Sequence, residues 1–247
     1  MVQLNGNTPK ITLYTNHRCP WAHRAHIVLK ELGLPYEEVI IDLGKPREPW
    51  YLEVNPRGLV PSIKFKSTTT GKEQILTESA VIAQFLADSY PDKLVPASKE
   101  GALLRARINF FVDAYSSKIQ AKMFEVMRAP EETEREEKGK EWVAAIGKEL
   151  DPLLQDANPF FGGNKDLTLA EVMLGPFLLR IFGISKQGEV IPRSVYDGLQ
   201  QLPHFSKWAN AVMANESVLS IWNEERVLSK TKERALKARE TQTNGSK

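Results

Sequence analysis

The apolar pattern changes period once along the chain, near residue 91, and that change limits the fold more than any other feature. Before it, short β-rich runs alternate with helical ones. "KITLYTN" (10–16) puts Ile11 and Leu13 on one face of a strand. Pro20 stands where a first helical turn tolerates proline, and Ala22, Ala25, Val28, Leu29 and Leu32 follow at helical spacing up to Gly33. "PYEEVIID" (35–42), "LVPSIKF" (59–65) and "EQILT" (73–77) read as three more strands, the last two joined by the turn residues "STTTGK". "ESAVIAQFLADSY" (78–90) is a second helix with Val81, Ile82, Phe85 and Leu86 on its apolar face. The order is βα, β, ββ, α.

Residues 91–101, "PDKLVPASKEG", carry two prolines and a glycine and read as a linker. Beyond it the pattern is helical, near 101–128, 132–157, 168–183, 192–198 and 203–214. "EETEREEKGKE" (131–141), with six acids and three bases, reads as a solvated helix face. Thr168 and Glu171 stand at capping-box spacing. The tail from Glu224 holds seven bases and four acids and fits a mobile helix or a disordered end. The expected organisation is an α/β domain over 8–91, an all-helical domain over 102–228 and a basic, flexible tail over 229–247.

Composition excludes several function classes. A net charge of +2 in 247 residues is too balanced to argue for nucleic acid. No apolar run approaches the roughly 18 residues of a membrane span, and the first ten residues lack a signal-peptide core. One cysteine rules out an internal disulfide, so a reducing compartment, the cytosol, is expected.

That cysteine, in "HRCPWAHRAH" (17–26), opens the first helix. Unpaired backbone N–H groups and the helix dipole favour thiolate there, lowering a thiol pKa from about 8.5 to roughly 3.5–7.5. His17, Arg18 and Arg24 stand close enough in sequence to add positive potential. Cys19 is therefore a candidate nucleophile, against the alternative of a small buried hydrophobe. "CPWA" is half of a C-x-x-C redox motif, with Ala22 in the resolving position. Such a monothiol needs an external thiol to release any adduct it forms. His23 and His26, three apart on the helix, suit packing or surface roles better than a metal site, so no metal is expected.

Two further stretches suit a small acidic thiol. In "NPRGLVPSI" (55–63), a cis bond before Pro61 would free the backbone groups of Val60 to pair with a bound peptide; an ordinary trans proline at a strand start is the alternative. In "TESAV" (77–81), Ser79 is a good N-cap, and the helix N-terminus with its hydroxyl suits a carboxylate. Glu78 beside it suits an ammonium group. Capping and solvation alone would also explain these two residues.

In this order and spacing, "CPWAHRAHIVLKELGLPYE", "NPRGLVPSI" and "ESAVIAQFLADSYP" resemble the cytosolic glutathione transferases over about residues 10–225. "LTLAEVMLGPFL" resembles the helix-capping segment of that family's second domain, with Glu171 where Asp is usual. The resemblance implies a thioredoxin-like N-terminal domain followed by an all-α domain. Cysteine followed by proline and an aromatic resembles the omega class; "CPWAHR" is also similar to glutathionyl-hydroquinone reductases. The resemblance further implies that Cys19 forms a mixed disulfide with glutathione, the co-substrate. Val60 beside cis-Pro61 would hold the cysteinyl part, Glu78 and Ser79 the γ-glutamyl end, and Lys45 or Arg47 the glycyl carboxylate. Trp21, Tyr115 and Trp222 are candidate walls for a second substrate, a small hydrophobic or disulfide compound or one of dehydroascorbate type. A homodimer is implied, with neither nucleic acid nor membrane as partner. The alternatives are conjugation of glutathione to electrophiles, a non-catalytic binding member of the fold, and a chloride-channel relative, which the charged "AHRAHIVLKELG" disfavours.

Overall fold

A computed structural model describes residues 9–66, 70–91, 93–96 and 101–245 of the chain. The first eight residues, part of the 67–72 turn, part of the 91–101 linker and the last two residues of the tail lie outside the described residues.

Four strands, β1 (Lys10–Thr15), β2 (Glu37–Ile40), β3 (Ser62–Lys66) and β4 (Glu73–Thr77), form one mixed sheet in the order β2-β1-β3-β4. β1 runs parallel to β2 and antiparallel to β3, with Leu13 opposite Ile63, and β3 pairs antiparallel with β4. Period-two alternation divides the strand residues between two cores. Ile11, Leu13 and Ile63 pack under α1 (Pro20–Glu31) and α3 (Ser79–Ser89). Tyr14 faces the other way, with Tyr51 of α2 (Pro49–Val54), Ala22, Ile41 and Val60. The short helix α2 is absent from the sequence reading. The third strand begins at Ser62, not at residue 59, because Pro61 has no N–H to give a ladder.

The second domain is helical: α4 (Ala102–Ala114), α5 (Gln120–Arg128), α6 (Glu132–Glu149), α7 (Leu169–Gln187), α8 (Arg193–Gln200), α9 (Pro203–Met213), α10 (Glu216–Leu219) and α11 (Glu224–Gly245). The helix expected over 101–128 is interrupted by one π turn at Tyr115–Ile119. The one expected over 132–157 stops at Glu149 and a 3₁₀ turn follows, since Pro152 cannot donate the next helical bond. Thr168 caps α7, and its capping box with Glu171 forms as expected.

The two domains share one core. Residues Ala22 to Leu29 of α1 are all buried, because the sheet and α3 cover one side while α7 and α10 cover the other. Its amphipathic pattern predicted one buried face only; the polar face, with His23, Arg24 and His26, lies inside the domain junction. Of the two expectations for the tail, a helix and a disordered end, the helix is found as far as Gly245, and it is packed on its neighbours. Val227, Leu228 and Ala235 of α11 are buried against α5 and α7. Gly183 makes that approach possible, since a Cβ there would lie 2.9 Å from Leu228. No helix among the described residues is long and apolar enough to cross a membrane.

Candidate functional site

Cys19 is the N-cap of α1, in extended conformation, with Pro20 at the first helical position. Its backbone N–H donates to the Asn16 carbonyl (2.9 Å) and its carbonyl accepts from the His23 N–H (3.0 Å). The half-buried thiol points at the Val60 carbonyl, 3.8 Å away. Val60–Pro61 is cis, and Val60 lies just before the ladder. The loop carrying it is pinned from below. The Asn55 amide donates to the Leu59 carbonyl (2.8 Å) and to Ser62 Oγ (3.1 Å), and the Tyr51 hydroxyl donates to the same Leu59 carbonyl (2.5 Å). Sequence reading missed both supports, whose buried polar groups become visible only once α2 is placed.

A cleft of about 390 Å³ opens over these groups, lined among others by Arg18, Cys19, Trp21, Arg47, Val60, Pro61, Glu78, Ser79 and Arg234. Arg47 grips the cis-proline loop, donating through Nε to the Gly58 carbonyl at 2.8 Å. Gly58 has φ of +63°, and a Cβ there would come within 2.9 Å of the Arg47 side chain. Lys45 is not at this cleft. It points to Asp42 (3.7 Å) and lines a separate depression of about 140 Å³.

At the start of α3 the expected roles change. Glu78, not Ser79, holds the N-cap position, and Glu78 makes no side-chain cap. Its φ of +70° is unusual for a residue with a Cβ and costs on the order of 1 kcal/mol. The Glu78 carboxylate accepts from Arg57 at 2.6 Å on the exposed rim. Ser79 is buried, and its hydroxyl accepts from Arg24 Nη1 at 3.2 Å.

Of the three expected aromatic walls, only Trp21 lines the cleft, packing edge-on to Phe177 at 5.6 Å. Tyr115 lies behind it, 2% exposed and 5.5 Å from the same Phe177, with its hydroxyl unpartnered and its pKa raised by burial. Trp222 lines a different depression and carries the Arg180 guanidinium over its ring at 5.1 Å.

Two buried arginines set the electrostatics. Arg24 donates from Nε to the Met173 carbonyl (2.9 Å) and lies over the Phe177 ring at 4.9 Å. Arg180, from α7, donates to the carbonyls of Pro176 (2.6 Å) and Arg18 (3.1 Å). Among the described residues neither meets a carboxylate, and burial lowers both to about 10. Burial also raises the Cys19 pKa, against the lowering expected from sequence. The N–H groups of Ala22 and Trp21 and the charges of Arg180 and Arg24 pull the other way and only partly offset it. Arg180 is the candidate residue that sequence reading missed; its signal was a lone cation in the apolar run "MLGPFLLRIF". Replacing it with Met removes a cation that favours the thiolate, so the Cys19 pKa rises and the thiolate fraction at fixed pH falls. Alkylation of Cys19 by iodoacetamide at pH 7.5 is expected to slow about three- to tenfold. The two rates should converge at high pH, and Arg180→Lys should restore most of the difference; equal rates at pH 7.5 would contradict this role.

The helix histidines take packing roles. His23 is fully buried, with both ring nitrogens unpartnered, and burial holds it neutral. His26 places its two nitrogens 2.8 Å from Thr15 Oγ1 and from the Tyr36 hydroxyl, and burial lowers its pKa to about 3. A carboxylate does approach this cluster, which spacing did not reveal: Glu38 bonds His17, edge-on to His26.

Residues 18–89 match the family of glutathione S-transferase N-terminal domains. Glutathione S-transferase omega-1 of Rattus norvegicus is 29% identical over 174 residues, which cover 70% of this chain and 67% of that protein. The chloroplastic glutathione S-transferase DHAR3 of Arabidopsis thaliana is 27% identical over 65% of this chain and 54% of its own. The crystal structure of glutathione transferase Omega 2S from Trametes versicolor superposes with a TM-score of 0.72 at 28% identity, covering 91% of this chain and 97% of the other. With the matching residues folded as a thioredoxin-like unit and a helical domain behind it, this chain carries a glutathione S-transferase N-terminal domain and is similar along most of its length to omega-class glutathione transferases.

Proposed function

We propose that the chain is a glutathione-dependent thiol transferase in which Cys19 is the nucleophile. The observation that carries this is the thiol at a helix N-terminus, facing the Val60 carbonyl beside cis-Pro61 with two buried guanidinium groups acting on it. Cys19 thiolate attacks the glutathionyl sulfur of a mixed disulfide. The S–S bond breaks, an enzyme–glutathione disulfide forms, and the other thiol leaves with the electron pair. A second glutathione thiolate attacks that disulfide, releasing Cys19 and oxidised glutathione. S-glutathionylated small molecules are attacked at the same glutathionyl sulfur, the substrate carbon leaving with the electron pair of the broken C–S bond and taking up a proton. A dehydroascorbate-type compound, as the omega and DHAR names of the relatives suggest, is instead attacked at a carbonyl carbon. A glutathione thiolate then attacks the Cys19 sulfur of that adduct, breaking the C–S bond, releasing the reduced compound and leaving the same Cys19–glutathione disulfide.

In this reading Val60 pairs through its backbone with the cysteinyl part of glutathione. Glu78 and Ser79 receive the γ-glutamyl end, and Arg47 the glycyl carboxylate. Lys45, the other candidate for that carboxylate, stands on the far side of the loop. No metal takes part. The chain acts as a cytoplasmic homodimer, a reading supported by exposed Val81, Leu103 and Phe110 on α3 and α4. Incubation with oxidised glutathione should give one glutathione adduct per chain by intact-mass spectrometry, reversed by free glutathione. Failure to form the adduct, with glutathione still bound, would favour the conjugating reading.

A further inference from the structure

The cleft holds more positive charge than its own acids balance. Arg47 donates to the backbone carbonyls of Gly58, Asp42 and Lys45. Arg18 and Arg234 are different. Among the described residues, neither guanidinium has a hydrogen bond or an ion pair in contact; Asp42 feels Arg18 and Glu233 feels Arg234 only from farther off, and Asp42 is itself paired with Lys45. The acid beside Arg234, Glu233, is engaged by Lys230 at 2.6 Å. Glu78, the acid that lines the cleft, is held by Arg57. Both side chains line the cleft, Arg18 half-buried and Arg234 exposed, and a ligand anion gives their guanidinium groups the charged partner that no acid of the cleft supplies.

Position adds a second constraint. Arg234 lies on α11 and, among the described residues, is the one lining residue drawn from the second domain. The groups read as glutathione-binding, Val60, Glu78, Ser79 and Arg47, all belong to the first. Arg234 therefore approaches Cys19 from the side left for the second substrate, while Arg18 adjoins Cys19 directly.

We infer that the second substrate is anionic: the thiol displaced from glutathione carries a carboxylate or sulfonate, which Arg18 and Arg234 hold, an assignment that rests on the thiol-transfer reading. When Cys19 attacks the glutathionyl sulfur, the S–S bond breaks and the departing sulfur takes the electron pair. The leaving fragment thus gains one negative charge as it forms, beside two unpaired guanidinium groups. That arrangement favours the transition state as well as binding.

The test uses three glutathione mixed disulfides, with 2-mercaptoethanesulfonate, 2-mercaptoethanol and cysteamine. Wild-type kcat/KM should be about tenfold higher for the sulfonate than for the alcohol, and lowest for the amine. In Arg234→Glu the sulfonate-to-alcohol ratio should fall about tenfold, and high salt should shrink it in wild type. Equal wild-type rates for sulfonate and amine would overturn the inference. So would a variant that raises KM for glutathione while leaving the ratio intact, since Arg234 would then belong to the glutathione site. Calorimetry with S-(2-carboxyethyl)glutathione and S-propylglutathione reads the same preference without turnover. Tighter binding of the carboxyalkyl compound, lost in Arg234→Glu, supports the anion site; equal affinities overturn it. If none of the disulfides turns over, the thiol-transfer reading falls, and the calorimetry alone decides the anion site.

Discussion

Cys19→Ser is expected to lose thiol transfer by about three orders of magnitude or more, down to the uncatalysed exchange. A hydroxyl at this position is too weak an acid to supply the attacking anion, and it forms no stable link to glutathione sulfur. Folding should be unaffected. Serine is a good helix N-cap, Pro20 still starts α1, and a hydroxyl can accept from the Trp21 and Ala22 N–H groups in place of the thiol. Glutathione binding should persist, because the groups assigned to it are elsewhere in the cleft. Conjugation to a chlorinated nitrobenzene is expected to be preserved or raised, since a hydroxyl can hydrogen-bond a glutathione thiolate without being consumed by it. The assay pairs this substrate with the glutathione–mercaptoethanol disulfide, for wild type and variant. A variant that still catalyses disulfide exchange would remove Cys19 from the mechanism. A wild type that only conjugates would leave the site with ordinary transferase chemistry.

Glu171→Ala is expected to cost about 3–5 kcal/mol, enough to unfold a large fraction of a marginally stable chain. Glu171 is fully buried. Its carboxylate accepts from Thr168 N (2.8 Å), Thr168 Oγ1 (2.7 Å), Phe161 N (2.9 Å) and Trp208 Nε1 (2.6 Å). Truncation strands these donors in the core, and two of them tie the start of α7 to the 161 turn and to α9. Burial pushes the Glu171 pKa up while the four donors pull it down. Glu171→Gln keeps an acceptor but turns an NH₂ toward groups that are themselves donors, so it should recover only part of the loss. The measurement is urea unfolding followed by circular dichroism. A midpoint unchanged in Glu171→Ala would mean that the capping segment carries no special weight.

Both residues were legible in the sequence because their signals are local. Cys19 and Pro20 mark a helix start, and Thr168 and Glu171 mark another, through contacts three residues apart. The strand order and the helical second half were legible for the same reason, being written in period. What failed were the places where a distant segment decides. The α1 face bearing His23, Arg24 and His26 reads as polar, yet α7 and α10 cover it. Tyr115 and Trp222 read as cleft walls, yet the packing around Phe177 and Arg180 turns both away. Ser79 reads as a cap, yet Arg24, fifty-five residues earlier, takes its hydroxyl.

The sequence by itself determined the thioredoxin-like order of elements, the helical domain behind it, and the position of the thiol at the start of the first helix, because backbone propensity and side-chain period act over a few residues. Only the tertiary structure decided the charge around that thiol. Arg180 and Arg234 are 161 and 215 positions away along the chain, and no local rule connects them to Cys19. They come to one cleft because α7 packs against α1 and α3 of the first domain, and α11 packs in turn on α5 and α7. Hydrophobic burial fixes that packing without regard to charge, and the electrostatics of the cleft follow from it.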